Sequence, residues 1–142
     1  MLPKLKAMAA DLNLKNVQFL PHLPEDEYIA LLQASDVCLV TLHKELKTPV
    51  VPGKLPCIMG VGRSVICSTP PQSDARLIVE EAKGGLWVPA GSPGALAEAI
   101  LTLNGDYALA DEMGDNGRWY AEQHFNREKC ISRYEEIIAK VL

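Results

Sequence analysis

Three short apolar runs, "DVCLVTL", "SVICS" and "GGLWV", are each separated by a stretch with helical spacing, and this alternation constrains the chain more than any other feature. Strands that read as unbroken β-branched and apolar runs are covered on both faces. Strands that alternate with helices of ten or so residues build a parallel α/β sheet. "NVQFL", near the start, has the same short pattern and brings the expected sheet to about four strands.

The segments between and around these runs carry helix signals. Leu5, Met8, Ala9 and Leu12 recur at three and four, predicting a helix over residues 2–13 that ends near the Asn13 turn. "LPEDEYIALLQAS" opens with a proline and acids, which suit a first turn, and places Tyr28, Leu31 and Leu32 on one face. Between the last two runs, Ser73 stands where a cap would, with Leu77, Ile78 and Glu81 on a helical period. Past "PAGSP" the chain reads as helix only. Leu96, Ala97, Ile100 and Leu103 mark one helix, and Leu109 to His124 a second that Gly114 and Gly117 should weaken. A third is capped by Asn126 and carries Cys130, Ile131, Tyr134, Ile137, Ile138 and Val141 on one stripe. The expected fold is thus a parallel α/β sheet with a helical C-terminal third, in a single unit without repeats or a long linker.

Composition narrows the function. At 142 residues and 48% apolar, the chain can bury a core without disulfides or metals. Its net charge of -4 is spread out, with no basic block interleaved with aromatics, so a nucleic-acid partner is not expected. No apolar run approaches the roughly 18 residues of a membrane span and no secretory pattern opens the chain, which sets the expectation at the cytoplasm. Cys38, Cys57, Cys67 and Cys130 lie far apart with no C-x-x-C pair, as reduced structural thiols do, and neither a metal nor another cofactor is expected.

Ligands of open parallel sheets sit outside the carboxyl ends of the strands. Four loops qualify: "HLPED", "HKELKTPVVPGK", "STPPQSDA" and "PAGSP". The second is the first candidate, with about twelve residues against a usual two to six. It runs into Gly53, Lys54 and Leu55, with Pro56 fitting the first position of a helix, so free backbone amides and the Lys54 ammonium would suit a diphosphate. The plain alternative is a solvated lysine beside a turn. His43 could donate to a substrate or simply be solvated. Ser73 and Asp74 either cap their helix or present amides to a sugar. Arg63, at the far end of the Lys54 helix, suits that helix's C-terminal dipole. Glu80 and Glu81 are expected to face water, and Gly84 and Gly85 to end their helix in a left-handed turn. "GVG" at 60–62 closes a helix rather than following a strand, so it is no dinucleotide fingerprint, and hydrolase, zinc-protease and P-loop motifs are absent.

The succession "NVQFLPHLPEDEYIALLQASDVCLVTL", "PGKLPCIMGVGRSVI", "GGLWVPAGSPGALAEAI" and "MGDNGRWYAEQHFN" resembles the C-terminal, donor-binding domain of GT-B-fold glycosyltransferases of family 4, most of all their cell-surface polysaccharide branch. The resemblance runs from about Leu2 to Leu142. It implies a Rossmann-like three-layer sandwich, a nucleotide-sugar donor (UDP-, GDP- or ADP-linked) held between two Rossmann-like domains, and transfer to an acceptor hydroxyl with retention. In that branch a Pro-x-Lys-x-x-Glu-x-Met-Ala-x-Gly-x-Pro-Val pattern opens the helix after the long loop. Pro52, Lys54, Met59, Gly62 and Val65 match it, while the glutamate that contacts the ribose falls on Cys57, the alanine on Gly60 and the proline on Ser64. A thiol cannot accept two hydroxyl bonds as a carboxylate does. The earlier glutamate of the usual pair falls on Pro49.

The resemblance also implies that residues 1–142 are a partial domain that begins after two βα units and lacks the acceptor-binding domain. No catalytic residue can then be assigned within the chain, and the fragment is expected to be inactive alone, with open sheet edges that invite direct pairing of "NVQFL" with "DVCLVTL" or cover by a second copy. A place at the inner membrane face is compatible with the polysaccharide branch. Two rival readings stay open: a non-catalytic interaction module that keeps the fold without its carboxylates, and another nucleotide-sugar enzyme such as an epimerase, against which "MGDNGRWYAEQHF" speaks.

Overall fold

The computed structural model describes residues 2–48 and 50–141. Its elements follow in the order α1 (Leu2–Asp11), α2 (Glu25–Ala34), β1 (Val37–Thr41), α3 (Lys54–Gly60), β2 (Ser64–Thr69), α4 (Asp74–Ala82), β3 (Gly85–Pro89), α5 (Pro93–Gly105), α6 (Tyr107–His124) and α7 (Arg127–Ala139). The strands form one parallel sheet in the order β1-β2-β3, with Leu39 opposite Ile66 and Cys67 opposite Trp87.

β2 is the centre of the sheet and is buried at all six positions. Its side chains alternate between two cores, as the pleat requires. Val65 and Cys67, with Cys38 and Val40 of β1, meet Leu32 of α2, Leu55, Ile58 and Met59 of α3, Ala75, Val79 and Ala82 of α4, and Tyr120 and Ala121 of α6. Ile66, with Val88 of β3, meets Ala99 and Leu103 of α5 and Ala110 of α6. Fully enclosed side chains such as Leu55, Met59 and Leu103 each contribute about 1.5–3 kcal/mol of transfer free energy. Helices on both faces of a parallel sheet make the three-layer sandwich that the resemblance implies.

Two strand expectations need correction. "NVQFL" is no strand: residues 17–20 run without ladder partners, and Val17 and Leu20 are exposed, so the sheet has three strands among the described residues rather than about four. A backbone segment becomes a strand only by pairing with an edge, and residues 17–20 pair with none, not even the free edge of β1. β1, read as covered on both faces, is covered on one: Cys38 and Val40 are buried, whereas Leu39 and Thr41 are exposed. It is an edge strand, and on its second face Val37 packs against the α5 and α6 core while Leu39 and Thr41 stay exposed.

The glycines also differ from expectation. Gly114 and Gly117 are not weak points of α6 but the positions where it touches its neighbours. A β-carbon on Gly114 would collide with the carbonyl of Gly62, and one on Gly117 would lie 3.6 Å from Met59. Lys83, not Gly84, takes the left-handed conformation after α4, with φ 51°. Gly85 is required because a β-carbon there would run into the Val65 backbone of the adjacent strand. Asn13 does take a left-handed turn, φ 50°, just past α1. α7 presents Ile131, Tyr134, Ile137 and Ile138 to solvent, with Val141 exposed past its end, and α1 does the same with Leu5 and Met8, with Leu12 exposed just past its end.

Candidate functional site

Because all strands are parallel and in near register, Thr41, Thr69 and Pro89 end at one edge of the sheet. Three loops gather there: residues 42–48 with 50–53, 70–73 and 90–92. "HLPED" is not among them, since no strand precedes it. Backbone bonds tie the rim together, with Leu42 N donating to Ser68 O at 2.9 Å and Ala90 N to Thr69 O at 3.2 Å. Gly91 has φ 79°, and a β-carbon on it would lie 3.2 Å from the Lys44 side chain, so Lys44 lies across the turn after β3 and joins the first loop to the third.

His43 is exposed on this rim. Its Nδ1 accepts from the Glu45 amide at 3.3 Å, so the neutral ring carries its hydrogen on Nε2, which is left to donate outward. Lys54 is exposed at the first position of α3. Burial pushes the Cys67 thiol up, against the opposing effect of its bond with Thr69.

Not every expected site residue is free to bind. The side chain of Leu55 is fully buried in the core and its amide donates to Pro52 O at 2.9 Å, so nothing of Leu55 except its place in the chain serves a ligand. Pro56 is the third helical residue of α3 rather than the first, because Gly53 is the cap. Among the described residues, the amides at this end without a backbone partner are thus those of Gly53 and Lys54, since Leu55 is engaged and Pro56 has no N–H. Cys57 is exposed on the outer side of α3 and forms no disulfide. Pro49 lies outside the described residues.

Ser73 is committed to structure. Its hydroxyl donates to Thr69 Oγ1 at 2.7 Å and accepts from the Arg76 amide at 3.2 Å, capping α4 from a buried position. Asp74, beside it, is half-buried in the first turn. Arg63 donates to Gln33 O, joining α3's end to α2, so its role is structural. Glu80 pairs with Arg76 at 2.9 Å and Glu81 accepts from Tyr120 Oη at 3.1 Å, so neither is merely solvated. One cluster escaped sequence reasoning. Arg76 lies 4.2 Å over the ring of Trp87, whose Nε1 donates to Thr69 O at 3.2 Å. The two residues are on different elements and no local pattern pairs them.

A family model described as "Glycosyl transferases group 1" matches residues 1–106, about three quarters of the chain. The chain belongs to this glycosyltransferase family. It is similar to an uncharacterized glycosyltransferase of Methanocaldococcus jannaschii, 23% identical over 99% of this chain and 35% of that protein. Among solved structures, sucrose-phosphate synthase from Thermosynechococcus elongatus superposes with a TM-score of 0.83 at 24% identity, over 98% of this chain and 34% of that one. HepE of Anabaena in complex with UDP-glucose superposes at 0.81 and 22% identity, over 98% of this chain and 36% of that one. These likenesses bear out the Rossmann-like α/β fold. The group 1 glycosyltransferase chain spans about a third of the length of the relatives it matches.

No group of three His, Cys, Asp or Glu side chains that could hold a metal occurs among the described residues. No described helix is long and apolar enough to cross a membrane.

Proposed function

We propose that this chain is the nucleotide-sugar-binding part of a retaining glycosyltransferase that transfers a sugar to an acceptor hydroxyl in cytoplasmic polysaccharide or glycoconjugate synthesis. The observation that carries the reading is the rim of the sheet: in a chain of this family, the free Lys54 ammonium, the Gly53 and Lys54 amides and the outward Nε2 of His43 stand beside the carboxyl ends of three parallel strands, where such sheets bind nucleotides. Support also comes from the fold shared with HepE of Anabaena, whose structures hold UDP-glucose and UDP. A diphosphate would take the Lys54 charge and the two amides; Asp74 and the 70–73 loop would face the sugar.

On this reading the acceptor-binding domain and two further βα units complete the enzyme, the free edge of β1 being where those strands, or a second copy, would add. The isolated chain is then inactive in transfer. Titration of the 15N-labelled chain with UDP, GDP and ADP tests the reading. Amide shifts confined to residues 42–54 and 70–75 with one nucleotide are expected; shifts elsewhere, or none, contradict it, and sugar transfer by the chain alone contradicts the inactivity. Cys57 in place of a ribose-binding carboxylate favours a second reading, a non-catalytic module, which full-length protein without nucleotide affinity would support.

A further inference from the structure

The loop after β2 is held by a closed set of contacts whose hub is a residue no motif singles out. Thr69 O, the last carbonyl of β2, accepts both from the Trp87 indole at 3.2 Å and from the Ala90 amide at 3.2 Å. Thr69 Oγ1 accepts from Ser73 Oγ at 2.7 Å. Arg76 then closes the set: its guanidinium covers the Trp87 ring at 4.2 Å, its Nη1 donates to the Pro71 carbonyl at 3.2 Å, its Nε pairs with Glu80 at 2.9 Å, and its amide donates to Ser73 Oγ at 3.2 Å. One planar side chain therefore bridges α4, the 70–73 loop and β3. A lysine could not do this, having a point charge in place of the flat fork that stacks and donates in two directions.

We propose that Arg76 is a positioning residue for the donor loop: seated on Trp87, it fixes the backbone of residues 70–75 in the shape that receives the nucleotide-sugar. The inference rests on the functional reading above. A loop fixed before binding spends no affinity on being ordered, so releasing it weakens binding without removing any contact to ligand. The Arg76 guanidinium is engaged by the Trp87 ring, the Pro71 carbonyl and Glu80, and its side chain is only 30% exposed.

Hydrogen exchange and calorimetry on Arg76→Ala and Arg76→Lys, beside Lys54→Ala and the wild type, test this. Arg76→Ala should speed exchange of the Ser73 amide and of the amide of residue 76, which are bonded to Pro70 O and Ser73 O, by roughly tenfold while the amides of β2 keep their protection, with Arg76→Lys in between. The same variant should weaken nucleotide binding about five- to tenfold, and saturating nucleotide should restore protection of the loop. Lys54→Ala should abolish binding and leave loop exchange unchanged. Wild-type exchange in the Arg76→Ala loop overturns the proposal, as does a uniform rise across β2 and the loop, which would mark a general loss of stability. A loosened loop with undiminished affinity overturns it too. If the wild type binds none of UDP, GDP and ADP, the functional reading fails and the binding role fails with it, whereas the exchange arm still decides whether Arg76 holds the loop.

Discussion

Replacing Gly114 with alanine sets two physical effects of opposite sign against each other. In the middle of α6, alanine is intrinsically favoured over glycine by about 0.8–1 kcal/mol. In this fold, however, the new β-carbon lands on the carbonyl of Gly62, with the Gly62 carbonyl carbon at 3.0 Å and Arg63 Cα at 3.5 Å. These are backbone atoms of the turn between α3 and β2, and Gly62 sits there at φ 74°, so no side-chain rotation relieves the contact. Overpacking of this kind costs about 1–3 kcal/mol, and the unyielding neighbour puts it at the upper end. The net loss is then about 2 kcal/mol. For 142 residues the entropy of unfolding is roughly 0.3 kcal/mol/K, so Tm should fall by about 7 °C. Scanning calorimetry measures this directly, with Gly94→Ala as the control, since nothing lies within 4 Å of a β-carbon there and Tm should hold or rise slightly. A Gly114→Ala variant as stable as the wild type, or more so, would refute the close-contact account and restore the plain helix-propensity reading.

Other outcomes follow from the same structure. Ser73→Ala removes the cap of α4 and the donor to Thr69 Oγ1, and should cost about 1–2 kcal/mol in urea denaturation; a loss below a few tenths would show that water replaces the hydroxyl. Burial raises the thiols of Cys38 and Cys67 above their ordinary 9.0 and the hydroxyls of Tyr28 and Tyr120 above their ordinary 10.0. Folding therefore favours their neutral forms, so this contribution is whole below the ordinary values and is lost as pH rises through the elevated ones. The denaturation midpoint should fall steadily above about pH 9, and a midpoint that stays level into the Tyr range would contradict the burial described.

The architecture was legible wherever a signal is local and repeats. β-branched runs alternating with helical periods gave β1, β2 and β3, and the caps at Ser73 and Asn126 stand where their residue types predict. What failed depends on neighbours. "NVQFL" has strand residues but pairs with no edge, and β1 has the composition of a central strand at the margin of the sheet. Gly114 and Gly85 serve contacts with Gly62 and Val65, far away in sequence, so propensity misreads them as defects or turn formers. The place of the long loop and Lys54 at the rim of the sheet was legible because loop length and position after a strand are sequence properties. That Leu55 is spent in the core, that Ser73 is spent as a cap and that Arg76 rests on Trp87 are facts of packing, and no spacing within the chain encodes them.

The central claim, that the rim around Lys54 holds a nucleoside diphosphate, is tested most directly by isothermal calorimetry of the chain with UDP, GDP and ADP beside Lys54→Ala, a substitution at an exposed side chain that leaves the fold intact. Saturable binding of one nucleotide that the variant loses is the predicted result. Binding that Lys54→Ala leaves unchanged, or no heat with any of the three, would contradict the claim.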